Sequence, residues 1–223
     1  MTTKSYLISN QAILNKARDY IDGLMLSDGC VMRTNKTGYY KQVCEHDEWL
    51  KVISYNLNDH KIKNIIRTRT GGFKKNKLYY NLVTSSYIEF KEMHDRWYKK
   101  DYNVDEYPII RWHWDKEKEE WFAWKKIIPK DICLNPECVA NEYLGDGSKA
   151  KRNNHIRLAT NGFSRDDTIF LSELLSETLD INCWVSGSGV INITNNKGIT
   201  TFLEYIKDYK TNCYLYKFHE VIK

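Results

Sequence analysis

The sequence predicts an α/β (α+β) protein made of two similar units, each an α-β-β-α-β-β-α arrangement with one antiparallel sheet. The first observation is a repeated motif: a short apolar helical segment ends in Asp-Gly twice, at Asp28-Gly29 and at Asp146-Gly147. The second is that paired segments with strand periodicity, separated by turn residues, follow each motif. The third is the matching order of both halves of the 223-residue chain. An internal repeat of this length indicates two units related by a pseudo-twofold axis.

The first unit is assigned to residues 1–100. It opens with a lead helix at residues 11–20, and the motif helix that follows ends at Asp28. The spacing of the apolar residues then predicts, in order, strands at 30–34 and 39–45, a helix at 47–58, and strands at 65–70 and 78–84. The sequence SYIE at residues 86–89 has the spacing of a capping box and predicts a last helix that runs to about residue 100.

The second unit is assigned to residues 125–223 and repeats this order. Its motif helix covers residues 136–145 and ends at Asp146. The later elements are strands at 148–151 and 155–160, a helix that SRDD at 164–167 caps, strands at 182–186 and 190–194, and a helix at 198–209.

Residues 101–124 lie between the units and do not fit the repeat. Their sequence YPIIRWHWDKEKEEWFAW predicts an inserted Trp-rich hairpin around a charged turn. Packing against the body of the protein is the favoured role for these aromatic side chains, and contact with a ligand is the alternative.

The charged residues are distributed unevenly around a net charge of +5. Residues 61–77 and 147–157 carry lysines and arginines without any acid, whereas acids gather in predicted helices and at 115–120. Basic strands beside acidic helices favour a sheet face that meets a polyanion. A solvated charged surface is the alternative for any one segment.

Composition also excludes several classes of protein. The six cysteines have no CxxC spacing, which disfavours a zinc module. No apolar segment reaches the length of a transmembrane helix, so no membrane partner is expected. The N-terminal sequence MTTKSYLISN lacks a secretory or organellar leader pattern and predicts an intracellular protein. Richness in Lys, Asn, Ile and Tyr indicates an AT-rich genome, hence a phage-infected host cytoplasm or an organelle matrix.

Alternation along the strands separates a core face from an exposed face. Ile156, Leu158, Ile191 and Ile193 are expected inside, and polar neighbours outside. Arg, Lys, Asn, Thr and Tyr side chains bind phosphates and base edges, and a two-stranded ribbon fits the DNA major groove. The candidate DNA-binding residues are Arg33, Lys41, Arg67, Arg69, Lys75, Tyr79 and Asn81 in the first unit, and Lys149, Lys151, Arg152, His155, Arg157, Asn192 and Thr194 in the second. A shift of one residue in register would reverse these faces.

The two Asp-Gly motifs are candidate metal sites. A helix that ends there places its last carbonyls, at the negative end of the helix dipole, beside a carboxylate, which suits a hard divalent cation. Two such ends brought together would form a two-metal site. The alternative for either motif alone is an ordinary turn dipeptide.

These residues resemble the LAGLIDADG homing endonucleases, in the branch that carries both motifs on one chain. The motif copies are IDGLMLSDG and VANEYLGDG, and KKIIPKDICLNPECVANEYLGDGSK and IRLATNGFSRDDTIFLSELL resemble the second domain of that family. The resemblance covers nearly the whole chain apart from residues 101–124. Asp22 and Asn141 depart from the pattern, because small residues usually stand where the two motif helices pack closely.

The resemblance implies a saddle of two sheets on DNA and roles for individual residues. Asp28 and Asp146, with Gly29 and Gly147 beside them, would hold divalent metal, and Lys126 and Lys217 would lie near the active site. The expected cofactor is Mg²⁺, with Mn²⁺ as a substitute and Ca²⁺ supporting binding without cleavage. The two glycines would let the chain turn sharply out of each helix.

The resemblance also implies an activity. The expected protein is a monomer that cuts both strands of double-stranded DNA, at a long pseudo-palindromic target, and leaves short 3′ overhangs. The alternatives are an RNA splicing maturase that binds intron RNA, a non-cleaving DNA-binding regulator, and a nickase.

Overall fold

The computed structural model describes residues 16–70, 78–103, 105, 111–150 and 155–218. The helices are α1 (Arg18–Leu26), α2 (Asp47–Asp59), α3 (Ile88–Trp97), α4 (Pro136–Asp146), α5 (Arg165–Leu179) and α6 (Asn196–Tyr205). The strands are β1 (Cys30–Arg33), β2 (Gly38–Cys44), β3 (Asn64–Thr70), β4 (Leu78–Thr84), β5 (Tyr98–Asp101), β6 (Trp112–Asp115), β7 (Glu120–Lys126), β8 (Gly147–Ala150), β9 (His155–Leu158), β10 (Trp184–Val185) and β11 (Ile191–Ile193). Two 3₁₀ segments, Lys207–Tyr209 and Asn212–Lys217, follow α6.

Two four-stranded antiparallel sheets have the same topology. The strand order is β1-β2-β4-β3 in the first sheet and β8-β9-β11-β10 in the second, and each sheet follows its motif helix. The repeat read from the sequence is therefore confirmed at the level of sheet connectivity. The predicted hairpins at β1–β2 and β3–β4 and the helix at α2 are confirmed, with bounds that differ by a few residues.

A third sheet, which the sequence only partly predicts, has the order β5-β7-β6. The predicted hairpin of the insertion is present as β6 and β7. The prediction that the preceding helix runs to residue 100 is wrong, because α3 ends at Trp97 and Tyr98–Asp101 pairs with β7. Strand pairing with a distant segment overrides the local helical pattern there.

Helix caps show why some boundaries were predictable. Ser164 caps α5 as expected: its Oγ accepts a hydrogen bond from the Asp167 amide at 3.1 Å. The SYIE sequence does not form the expected capping box, because the residue before α3 is Tyr87 and no side chain caps that end. The predicted helix at 198–209 ends at Tyr205, and a 3₁₀ turn continues it.

The two units share one hydrophobic core, which residues of α1 and α4 join. These two motif helices pack so closely that a side chain at Gly23 would place its Cβ 2.3 Å from the carbonyl oxygen of Cys138. The same contact repeats near the other end, where a Cβ at Gly145 would lie 2.4 Å from the Ser27 hydroxyl. Glycine is therefore required sterically at both positions.

The departures from the family pattern, Asp22 and Asn141, are both accommodated. Asn141 faces Gly23 and donates a hydrogen bond to the Tyr20 carbonyl across the helix interface at 3.1 Å. Asp22 is fully buried and accepts hydrogen bonds from Arg96 at 2.6 Å and from the Trp97 indole at 2.8 Å. Both of these bonds go to Oδ1, whereas the Asp22 Oδ2 atom is buried without a hydrogen-bond partner among the described residues and lies 3.9 Å from the Arg18 Nε atom. Asn141 is therefore bonded across the interface, and Asp22 is only partly satisfied.

No helix in the described part of the chain has both the length and the apolar character needed to cross a membrane.

Replacement of Gly23 by alanine tests the helix contact. Alanine favours a helix over glycine by about 1 kcal/mol, whereas overpacking costs about 1–3 kcal/mol, so we expect a net loss of unfolding free energy. The matched control is Gly162→Ala, since a Cβ there meets no atom within 4 Å. Chemical denaturation of both variants measures the difference. Equal stability of the two variants would contradict the close contact.

Candidate active site

The two motif acids lie where the two packed helices end. Asp146 is the last residue of α4, and Asp28 follows α1 by two residues. The glycines that follow them are sterically required: a Cβ at Gly29 would meet the Leu24 carbonyl at 2.5 Å, and one at Gly147 would meet the Tyr143 ring at 2.2 Å. Neither glycine has positive φ. Close packing, rather than an unusual turn conformation, therefore explains both glycines.

The two predicted lysines reach the ends of the same two helices. Lys126, the last residue of β7, donates hydrogen bonds from Nζ to the carbonyls of Ser27 at 3.1 Å and Gly29 at 2.9 Å. Lys217 donates to the carbonyls of Tyr143 at 3.1 Å and Leu144 at 2.8 Å. Each ammonium thus lies at the negative end of a motif helix and bonds to carbonyls there: Lys217 to carbonyls of the last turn of α4, and Lys126 to carbonyls just after α1.

Aromatic rings surround both ammonium groups. The Lys126 Nζ lies 6.0 Å from the Trp97 ring centroid and 5.4 Å from that of Phe163. The Lys217 Nζ lies 4.7 Å from the centroid of Tyr214, a ring that in turn contacts Trp49 of the first unit at 5.5 Å. Both lysines are therefore held at surfaces where one unit meets the other.

The four charged groups act on one another electrostatically. Burial and the nearby Asp28 carboxylate raise the pKa of Asp146 to about 6. Burial lowers the pKa of Lys126 and that of Lys217 to about 8, although both carboxylates oppose this change. Burial likewise raises the pKa of Asp28. The structure thus brings together the four residues that the sequence singled out.

The arrangement fits a divalent cation. The lysines bond to backbone carbonyls and not to the carboxylates, so the oxygens of Asp28 and Asp146 stay available to a cation. Within the described ranges, no group of three or more His, Cys, Asp or Glu side chains could enclose a metal. Mg²⁺ is commonly held by one or two carboxylates together with phosphate oxygens and water. The two aspartates match that requirement if a phosphate is present.

A further carboxyl group was missed by the sequence analysis. Glu142 lies one turn before Asp146 on α4 and is 1% exposed. Both of its carboxylate oxygens are buried without a hydrogen-bond partner among the described residues. Burial, with a smaller contribution from Asp146, raises the pKa of Glu142 to about 8. The first motif has Leu24 at the same place, so the polar residue in an apolar helical segment was the available signal.

The first sheet presents the predicted polar residues on one face. The strand register places Lys41, Tyr79, Asn81 and Arg67 on the same side, and Arg69 pairs with Tyr79. Lys41 and Asn81 line a shallow cavity of about 320 Å³. The Asn81 Oδ1 atom has no hydrogen-bond partner among the residues that the structure describes. Exposed apolar residues that the sequence analysis did not single out share this face: Met32, Val43 and Ile65.

The prediction that Arg33 belongs to this face is wrong. Arg33 alternates with Met32 and points to the helix-covered side, where it forms an ion pair with Asp95 of α3. Its guanidinium also lies 5.6 Å from the centroid of Trp124. An arginine at the end of a strand is thus used to join the first sheet to α3 and the third sheet.

The second sheet matches its predicted face in part. His155, Arg157 and Asn192 share one face, and Thr194 is exposed just after β11. The expected exposure of Asn192 is wrong: it is 6% exposed, lies in register between Arg157 and Trp184, and donates to the Val190 carbonyl.

Lys149 is only half-buried and pairs with Ile156, so alternation assigns it to the core side of the edge strand β8. Lys75, Lys151 and Arg152 lie outside the described residues.

Comparisons with known proteins agree with these features. The model of the LAGLIDADG DNA endonuclease family matches residues 116–199. An uncharacterized protein of Methanocaldococcus jannaschii is 27% identical over 175 residues, which are 76% of this chain and 58% of that protein. This chain therefore spans less than two thirds of that relative. The intron-encoded endonuclease ai4 of Dictyostelium discoideum is 25% identical over 175 residues, which are 76% of this chain and 96% of that protein.

Among solved structures, the homing endonuclease I-WcaI bound to its DNA recognition sequence has the same fold. The TM-score is 0.67 at 16% sequence identity, and the match covers 90% of this chain and 84% of that chain.

Replacement of Glu142 by leucine, the residue of the first motif, tests the buried carboxyl. Because folding raises its pKa from 4.5 to about 8, the Glu142 contribution to unfolding free energy should decline as the pH rises through that interval. Removal of the buried oxygens should stabilise the protein by roughly 1–3 kcal/mol, and more at pH 8 than at pH 5. Urea denaturation at both pH values measures this gain.

The matched control for that measurement is Glu177→Leu, which changes an exposed glutamate of α5. A gain at Glu142 that is equal at both pH values would show that this carboxyl does not titrate on folding.

Proposed function

We propose, from the premise that the chain belongs to the LAGLIDADG DNA endonuclease family, that it is a site-specific endonuclease that cuts both strands of double-stranded DNA. The observation that carries the proposal is the meeting of Asp28, Asp146, Lys126 and Lys217 at the ends of α1 and α4. Two acids and two ammonium groups in one place suit the hydrolysis of a phosphodiester, a reaction in which negative charge develops.

The proposed roles of the two acids and the two lysines differ. Asp28 and Asp146 would hold the cofactor, Mg²⁺ or in its place Mn²⁺, which when bound supplies Lewis-acid polarisation of a phosphate and a water of lowered pKa. Lys126 and Lys217 hold the helix-end carbonyls and keep two positive charges beside the acids. These charges would attract the scissile phosphates and offset the charge that develops on the leaving 3′ oxygen.

The two sheets would bind the flanking DNA. The face that carries Lys41, Arg67, Tyr79 and Asn81 presents donors and acceptors with the spacing of a β-ribbon in the major groove. Exposed Ile65 beside them offers an apolar contact of the kind that thymine methyl groups make. His155, Arg157 and Thr194 would serve the other half-site, with Lys75, Arg69, Lys149, Lys151 and Arg152 as further candidates. A single chain would then cover a long, imperfectly palindromic target and leave short 3′ overhangs.

Separate replacement of each acid tests the chemistry. Purified protein with Mg²⁺ is first given a plasmid library with randomised sites, and the mapped ends define the target. On that target, we expect Asp28→Asn and Asp146→Asn each to abolish double-strand cleavage, because each removes a carboxylate ligand, while binding in Ca²⁺ stays within about threefold. The control is Asp59→Asn, which changes an exposed acid at the end of α2.

Three results would contradict this function. Loss of DNA binding in the asparagine variants would make both acids structural. Nicked products alone from the unchanged protein would assign it single-strand cleavage. Salt-sensitive retention of DNA or RNA without any cleavage would favour a regulator or a maturase.

The pH dependence of cleavage separates the acids from the lysines. The rate should rise through about pH 6 as Asp146 ionises and fall above about pH 8 as Lys126 and Lys217 lose their protons. Because metal competes with the proton for the carboxylates, higher Mg²⁺ should move the acid limb to lower pH and leave the alkaline limb unchanged. Single-turnover rates at two Mg²⁺ concentrations measure both limbs. An alkaline limb that moves with Mg²⁺ would exclude the lysines as its source.

A further inference from the structure

The outer face of the third sheet exposes a group of tryptophan side chains. Trp114 lies opposite Trp121 across β6 and β7, and Trp112 lies opposite Ala123, so alternation places all of them on one side. Trp114 is 47% exposed and Trp121 is 49% exposed. The Trp121 ring centroid lies 5.3 Å from that of Trp114 and 6.3 Å from that of Trp112. Large exposed aromatic groups of this kind mark interaction sites.

The opposite face of the same sheet attaches it to the body. Trp124 contacts His94 of α3 edge to face at 4.7 Å and lies under Arg33 of β1. Phe122 is 5% exposed and packs against Trp124 at 5.1 Å. The sheet is therefore fixed by its inner side chains, and the exposed tryptophans are not needed to hold it in place.

Lysines lie on the outer face beside the tryptophans. Lys99 of β5 pairs with Lys125 of β7, and both alternate onto the side that carries Trp121. Lys125 forms an ion pair with Asp101 at 3.4 Å, while Lys99 is exposed. Two ammonium groups thus accompany one carboxylate. From Trp121 to Lys125 the strand extends about 13 Å at about 3.3 Å per residue.

We propose that this tryptophan face, formed by Trp112, Trp114, Trp121, Lys99 and Lys125, binds single-stranded DNA. Exposed indoles offer stacking surfaces to bases, and neighbouring lysines offer charges to the phosphates. Duplex DNA does not fit this chemistry, because its bases already stack on one another. The acids of the turn between β6 and β7 lie beyond Trp114 and Trp121, at the other end of the strands. The phosphates would therefore lie at the Lys99 and Lys125 end, where the face carries more positive than negative charge.

The choice of DNA rests on the proposed function. β7 carries Trp121 near its start and Lys126 at its end, about 17 Å further along and on the opposite side of the sheet. An unpaired DNA strand that passes from the proposed cleavage centre around the edge of this sheet would meet the tryptophan face.

The test uses the full chain and two double variants. Trp114→Thr with Trp121→Thr keeps strand propensity but removes the rings, whereas Trp114→Tyr with Trp121→Tyr keeps aromatic surfaces. Fluorescence anisotropy follows a labelled single-stranded DNA oligonucleotide that lacks the duplex target. We expect the threonine variant to bind about tenfold more weakly or worse, and the tyrosine variant to bind within about threefold of the unchanged protein. Both variants should cleave the target duplex at the original rate.

Several results would overturn this inference. One is equal affinity of the threonine variant and the unchanged protein for the oligonucleotide. Another is tighter binding of an RNA with the same sequence, and a third is a loss of self-association in sedimentation without a change in DNA binding. Failure of the proposed function would give a different result. The unchanged protein would then leave duplex DNA uncut, while the threonine variant would still have a lower affinity for single-stranded DNA than the unchanged protein.

Discussion

The contact between α1 and α4 is the constraint on which the rest of the structure depends. Gly23 lies against the Cys138 backbone and Gly145 lies against the Ser27 side chain, so neither glycine leaves room for a Cβ atom. Contact at this distance fixes where each helix ends relative to the other. This contact brings the ends of α1 and α4, and with them Asp28 and Asp146, together. The Asn141 amide donates a hydrogen bond to the Tyr20 carbonyl, so a directional bond supplements the close packing of the two helices.

The lysines connect the candidate active site to both units. Lys126, the last residue of β7, lies near Phe163 of the second unit and bonds to carbonyls of the first. Lys217 lies near Tyr214, which contacts Trp49 of the first unit. A buried ammonium is costly unless carbonyls or carboxylates surround it, and here the helix ends supply both. Lys126 gains its carbonyl partners only when the two units are docked, whereas the carbonyl partners of Lys217 lie in its own unit. Assembly of the fold is therefore coupled to the position of Lys126.

The sequence predicts the features that depend on local pattern. Asp28, Asp146, the strand alternation at Ile191 and Ile193 and the Ser164 cap are readable because periodicity and short-range hydrogen bonds determine them.

The features that the sequence does not predict depend on residues distant in the chain. Tyr98–Asp101 becomes a strand because β7 pairs with it, and Arg33 turns inward because Asp95 lies on α3. The burial of Asn192 follows from its position between Arg157 and Trp184, which sheet order and not sequence spacing decides.

The two equivalent lysines lie in different kinds of element: Lys126 is at the end of a strand, and Lys217 is in a 3₁₀ segment. The shared requirement is therefore the position of an ammonium at a helix end, not the element that carries it. For the third sheet this requirement concerns only Lys126, the last residue of β7. The rest of that sheet lies outside the candidate active site, so its outer face can carry exposed tryptophans beside lysines without contact with the paired acids.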